Sequence, residues 1–496
     1  MEYSSTNVSD NIDNNTKQEN LVAHNAHVVK LDPVNDTNEK CDEKPYIDPD
    51  IQKKLVRKLD LRIVAWCSLA LFVNNINRYN MQNAFIMGMD KDLDIDSVAY
   101  NWAVSIYFIG FTIFKIPGNI IVARFSPRWI LPTVTVLWGI VDCLISACRD
   151  YRGLLVARFM LGVVQSPLYA GAIFLFGCWY TPSELAKRVS VFAAVGMLLS
   201  GAFGGLIAGA ISDTLEGVHG IASWKWLFII EGLVSVSVGL VGFLLLGDYP
   251  HNTRWLSPNE RNVAILRVRG RDIGKAYFKR SNWKTILENI LLKPLTWLMI
   301  INLACLFFGI NLMLNFAIIL RDSGFSPSVS NYMLTPLNGF ATIVSLVFAW
   351  TSDRTMDRAF HIAALQFFTA IWFLVLAVVN KGNNSISLLF VGAYATAANS
   401  AASCLGVTWT NEIYAIDNDT RAIGIAFVVA VAFIIPNFVN VKTWLVTDSP
   451  EFWLGKITCM AVSFASVVLT IVIWFLIHRQ FMLPKSGKKS NHEERK

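Results

Sequence analysis

From about residue 61 to residue 480 the chain alternates between apolar runs of roughly twenty residues and shorter polar stretches. A helix rises ~1.5 Å per residue, so each run can cross the ~30 Å hydrocarbon layer of a bilayer. Twelve spans can be drawn, at 61–84, 99–121, 129–148, 153–178, 188–212, 224–246, 294–320, 331–351, 360–380, 386–410, 420–443 and 454–480. The pattern predicts an all-α membrane protein with twelve transmembrane helices in two six-helix halves. The halves, 61–246 and 294–480, are nearly equal in length and are joined by a basic loop, 247–293. A polar, disordered tail is expected over 1–60 and a shorter one over 481–496.

Composition sharpens this picture. Hydrophobic residues make up 54% of the chain and charged residues 16%, where a soluble protein carries about 25% charge. Lysine and arginine collect in the N-terminal flank (Lys53, Lys54, Arg57, Lys58, Arg62), in the long loop and in alternate short loops, whereas the opposite loops are acidic or nearly neutral, as in DKDLDID at 90–96. The excess of basic residues marks the cytoplasmic side, so both termini are expected there. The net charge of +7 then belongs to cytoplasmic loops and does not point to nucleic acid. Residues 1–50 hold no apolar core, so no cleavable signal peptide is expected. The eight cysteines are scattered and support neither a disulfide framework nor a metal site. No phosphate-binding loop is present, and no cluster of nucleophile and base lies within a span. Neither a cofactor nor an enzymatic activity is expected.

The polar residues inside the spans are the informative ones. The stretch NNINRYN (74–80) places Arg78 among Asn74, Asn75, Asn77 and Asn80 in the first span. A guanidinium presents planar donors suited to a carboxylate, so these residues form a candidate substrate clamp. The alternative is an arginine about six residues from the outer end of its span that snorkels to water. Arg158, Asp142 and Glu231 fall at one depth in the fourth, third and sixth spans. Charges at that depth usually face a cavity with a partner, and a carboxylate near an arginine can couple proton movement to binding or form a static ion pair. After the central loop, Asn311, Asn315, Asn338 and Asn399 are candidates for selectivity contacts or for bonds between helices. Lys115 lies near the inner end of the second span, within reach of cytoplasmic phosphates.

Two six-span halves around a charged loop are the layout of major facilitator transporters. The loop AWTSDRTMDR (349–358) resembles the short cytoplasmic signature of that superfamily, in which Asp353, Arg354 and Arg358 would bias gating through ion pairs. RFMLG (158–162) matches its fourth-helix motif. The series NRYNMQNAFIMGMDKDL, AVSIYFIGFTIFKIPGNIIVARFSPRWILP, RFMLGVVQSPLYAGAIFLFGCWYTPSE, SWKWLFIIEG and GDYPHNTRWLSPNE resembles, in order and spacing, the fungal allantoate permease family, the anion:cation symporter branch. That resemblance implies import of a small organic anion such as nicotinate or pantothenate by proton symport across the plasma membrane. An internal membrane is the other location it leaves open, and a monomer is expected. Three positions depart from the family pattern: Asn77, Lys115 and Gln165 stand where it usually has acids. Glu231 and Asp142 are then the expected proton-coupling residues, and Gln165 joins the candidate substrate contacts. A uniporter that has lost coupling, or a sensor that binds the anion without moving it, are the alternatives.

Overall fold

The computed structural model describes residues 48–267, 291–379, 385–413 and 418–482, apart from 194, 197 and 198. All regular structure among them is helical. Among the described residues, ten helices are long and apolar enough to cross a membrane. They include α1 (Pro49–Asp92), α2 (Ser97–Arg124), α3 (Pro127–Ile145), α4 (Tyr151–Trp179), α6 (Ser223–Leu245), α7 (Pro294–Asp322), α8 (Pro327–Thr355), α9 (Arg358–Val379), α10 (Ile386–Ile413) and α12 (Trp453–Met482). The fifth and eleventh expected spans are filled by α5, in two pieces (Pro182–Ala193 and Leu199–Thr214), and by α11 (Asn418–Thr443). The described part of the central loop holds a short helix, Pro258–Arg267. Its basic residues from 268 to 290, like residues 1–47, lie outside the described residues.

The helix α1 is much longer than hydropathy suggested. It starts at Pro49, inside the stretch expected to be a disordered tail, because Asp48 caps it by accepting from the Asp50 amide at 2.9 Å. Leu55 and Leu59 are fully buried there. At its other end the helix continues past 84 to Asp92 through a widened turn at Phe85–Met89, where Gly88 takes φ +99°. Only glycine adopts that conformation without steric cost. Arg78 consequently sits roughly 20 Å from the end of α1, at ~1.5 Å per residue, and not near it.

Helices on either side of the central loop meet at one end of the bundle. Arg321 of α7 donates to the Phe85 carbonyl at 3.0 Å and to Asp90 at 3.1 Å, and its guanidinium lies 5.1 Å from the Phe85 ring centroid. Tyr332 of α8 donates to Asp213 of α5 at 2.9 Å. Asn101 and Ser105 of α2 donate to the Trp444 and Asn437 carbonyls at 3.0 and 3.2 Å. At the opposite end, bonds stay among the early helices or among the later ones. Lys58 pairs with Glu260 at 2.9 Å, Arg188 with Asp60 at 2.6 Å, and Arg358 with Asp353 and Glu412 at 2.5 and 3.0 Å. Among the described residues no hydrogen bond or ion pair crosses between the two sets of helices there. Among the described residues, one end is latched and the other is not.

Arg321→Ala removes an ion pair and a charge-assisted bond to a carbonyl, the latter worth about 1.5–3 kcal/mol in stability terms. The latched arrangement is expected to lose roughly tenfold in population. A cysteine placed at Ser105 in an otherwise cysteine-free chain reports this as faster labelling by a membrane-impermeant maleimide. An unchanged rate would mean the arginine does not hold the latch.

Candidate functional site

The site is built on three faces. On α2, Tyr107, Phe111 and Lys115 are one turn apart and share a face. Tyr107 and Phe111 stack at 6.0 Å. From α1, the Arg78 guanidinium lies over both rings, 5.9 Å from the Tyr107 centroid and 4.9 Å from that of Phe111, and its Nε donates to the Tyr107 hydroxyl at 3.1 Å. From α4, Arg158 comes within 5.1 Å of the Tyr107 centroid. Gly162, one turn on from Arg158, makes that approach possible, because an added Cβ would run into the Tyr107 carbonyl oxygen. The Tyr107 hydroxyl donates in turn to Gln165 at 2.7 Å.

Neither arginine has a carboxylate within 4.0 Å among the described residues. Arg158 is 1% exposed, its Nε makes one long bond of 3.4 Å to the Ala103 carbonyl, and its Nη1 has no hydrogen-bond partner. Aromatic faces return ~2 kcal/mol to a desolvated cation. An uncompensated buried charge costs more than that. The two guanidiniums around Tyr107 thus have no ion-pair partner among the described residues, an arrangement able to accept an anion.

The buried acids go elsewhere. Asp142 of α3 accepts from the Asn77 amide, and Glu231 of α6 accepts from the Asn80 amide; each keeps its second oxygen without a hydrogen-bond partner. Ser235 donates to the Glu231 carbonyl at 2.8 Å and approaches Asn77 at 3.4 Å. Depth along the helices placed Arg158, Asp142 and Glu231 together. The structure keeps Asp142 within electrostatic reach of both Arg158 and Glu231, while the arginines pack on Tyr107 and the acids hydrogen-bond to α1 asparagines. Asp142 is near enough to Arg158 for their charges to be felt, but the two form no ion pair. Asn74 is buried with its amide nitrogen unpartnered.

Among the later helices, asparagines support broken helices. The run of α7 is interrupted at Gly309–Ile310. Asn399 and Ser403 of α10 donate to the freed Leu306 carbonyl at 2.7 and 3.1 Å, and Asn311 donates to that of Phe308 at 2.6 Å. Irregular backbone at this depth requires such partners. The Asn399 oxygen accepts from Gln366, so both ends of its amide are engaged. The Asn311 oxygen accepts from Asn440 at 2.7 Å, Asn315 donates to the Asn311 carbonyl at 2.9 Å, and Asn338 to that of Leu334 at 2.8 Å. None of the four touches the arginine cluster. In the 349–358 loop, Arg358 bridges Asp353, Glu412 and, at 3.0 Å, the Ser352 hydroxyl, while Arg354 lies 4.0 Å from the Trp350 centroid.

Sequence reading missed Tyr107 and Phe111, whose only signal was their turn spacing to Lys115. It placed Lys115 near the inner end of the second span, where the apolar stretch Ser97–Lys115 also stops. The helix α2 runs on to Arg124, leaving Lys115 about 13 Å short of its end.

The sequence pattern of the Major Facilitator Superfamily matches residues 67–436. A pantothenate transporter of Schizosaccharomyces pombe is 30% identical over 223 residues, 45% of this chain and 43% of that one. A putative tartrate transporter of Agrobacterium vitis is 24% identical over 441 residues, 87% of this chain and 94% of that one. Among solved structures, an inward-facing, unoccupied bacterial homolog of the human lysosomal transporter Spinster superposes with a TM-score of 0.65 at 14% identity, covering 88% of this chain and 98% of that one.

Proposed function

We propose, because this chain belongs to the Major Facilitator Superfamily, that it is a member of the anion:cation symporter branch, importing a small organic anion with protons across the plasma membrane. That it is a multi-pass membrane transporter follows from the family and its apolar helices. The anion is a reading of the site. One observation carries it: Arg78 and Arg158 converge on Tyr107 inside the bundle without an ion-pair partner among the described residues. A substrate carboxylate supplies the missing charge, with Arg78 as clamp, and Gln165 and Asn74 offer further polar contacts. Pantothenate and tartrate, the substrates named for two relatives, are both small organic anions.

In this reading Glu231 carries the proton and Asp142 assists. Both lean on α1 through Asn80 and Asn77, so a change in protonation is felt by the helix that holds Arg78. The two six-helix halves would rock about the site, with the latch on the outer face and the unlatched end toward the cytoplasm. Asp353, Arg354 and Arg358 would gate that inner end.

Uptake of labelled nicotinate and pantothenate is the test, at acidic and neutral outside pH, with and without a protonophore. Acid-stimulated, protonophore-sensitive accumulation is expected, with Glu231→Gln losing at least about tenfold of it while counterflow exchange persists. Uptake indifferent to pH and protonophore would instead identify an uncoupled uniporter. The neutral Asn77 and Gln165 favour that second reading.

A further inference from the structure

Lys115 is the third cation on the shared face of α2. Its ammonium lies 5.8 Å from the Phe111 centroid, and the Arg78 guanidinium lies 4.9 Å from the same ring. Arg158, Tyr107, Arg78, Phe111 and Lys115 thus form a ladder in which cations and rings alternate. No rung has a carboxylate within 4.0 Å among the described residues.

Surface anchoring does not account for this lysine. A snorkelling side chain carries its charge to the nearer interface. The Lys115 ammonium instead lies over Phe111, one turn back along α2 from Lys115 itself, away from the Arg124 end and toward Tyr107. An ionisable group placed so deep is expected to face a pathway or a partner. A monocarboxylate held at Arg78 leaves the lysine unmatched, whereas a second acidic group on the same small molecule reaches it across the Phe111 ring.

We propose that Lys115 is a second anion-binding residue of the site, selecting compact substrates with two acidic groups over monocarboxylates. The inference rests on the reading of Arg78 as the substrate clamp and adds selectivity to it. Phe111 would separate the two subsites and offer its face to a planar skeleton.

Nicotinate and pyridine-3,5-dicarboxylate share a ring and differ by one carboxylate. Their apparent affinities for the purified full-length chain are measured by ligand-induced thermal stabilisation and by competition in uptake. The wild-type chain is expected to favour the dicarboxylate. Lys115→Gln should lower the dicarboxylate-to-nicotinate affinity ratio about tenfold, and Lys115→Arg should largely keep it. A wild-type chain that does not favour the dicarboxylate, or a ratio unmoved in Lys115→Gln, overturns the proposal. Arg78→Ala separates the two layers. If nicotinate binding needs Arg78 while the ratio ignores Lys115, the clamp stands and only the selectivity falls. If neither anion depends on Arg78, both fall.

Discussion

Arg78→Ala is expected to reduce uptake by at least about 100-fold while leaving the empty protein as stable as before, or more so. A carboxylate bound to a guanidinium through charge-assisted bonds gains about 1.5–3 kcal/mol per bond, and two such bonds exceed the 2.8 kcal/mol or so that a 100-fold change represents. The stability sign is the sharper half. A structural ion pair leaves an uncompensated partner when one side is removed, at about 3–5 kcal/mol. Arg78 has no such partner among the described residues; it contacts the Tyr107 hydroxyl and two aromatic faces. Deleting it removes a desolvated charge and strands no carboxylate. Arg78→Lys should recover little, because an ammonium cannot present the planar fork. Uptake assays and thermal unfolding of the purified variants decide the matter. Lost uptake with a large fall in stability would instead make Arg78 a structural residue.

Gly205→Leu should have a comparably large effect through the opposite route, by breaking the latched end apart. An added Cβ at Gly205 would lie 2.5 Å from the Asn331 carbonyl oxygen and 3.1 Å from the Leu334 Cβ. The backbone of α8 has to move, since no flexible side chain can yield there. Gly201 faces Asn338 and Gly209 faces Tyr332 on the same side of α5, so the three glycines form the close seam between α5 and α8. Overpacking of this kind costs about 1–3 kcal/mol, and the cost falls only on the conformation that keeps the seam closed. The population should shift by one to two orders of magnitude. The Ser105 cysteine reporter should label faster than in the wild-type chain, as in Arg321→Ala, with uptake strongly reduced. Slow labelling in a well-folded Gly205→Leu chain would show that the seam is not needed for closure.

The two predictions differ in how far the sequence foretold them. Arg78 was visible as a charge in an apolar run, and its planar donors already suggested a carboxylate. Its neighbours were not visible. Tyr107 and Phe111 belong to another helix, and nothing local to NNINRYN names them. The same holds for the acids. Counting residues from helix ends put Asp142 and Glu231 level with Arg158, but depth gives no angle about the helix axis. The side chains turned to Asn77 and Asn80 instead. Boundaries failed for a related reason: α1 begins early at the Asp48 cap and continues past 84 through the turn at Gly88, and hydropathy registers neither.

By itself the sequence determined the all-helical membrane class and the residues whose burial needs an explanation. Those follow from hydrophobicity, a local property that adds along the chain and repeats with the helix. Only the tertiary structure decided which polar groups meet: the arginines and Lys115 on the aromatic face of α2, the acids on α1, Asn399 on the broken backbone of α7, and the latch of Arg321 on Phe85 and Asp90. Such contacts depend on how separate helices rotate and lean against one another. That choice is made jointly by all of them in packing, and no single stretch of the chain encodes it.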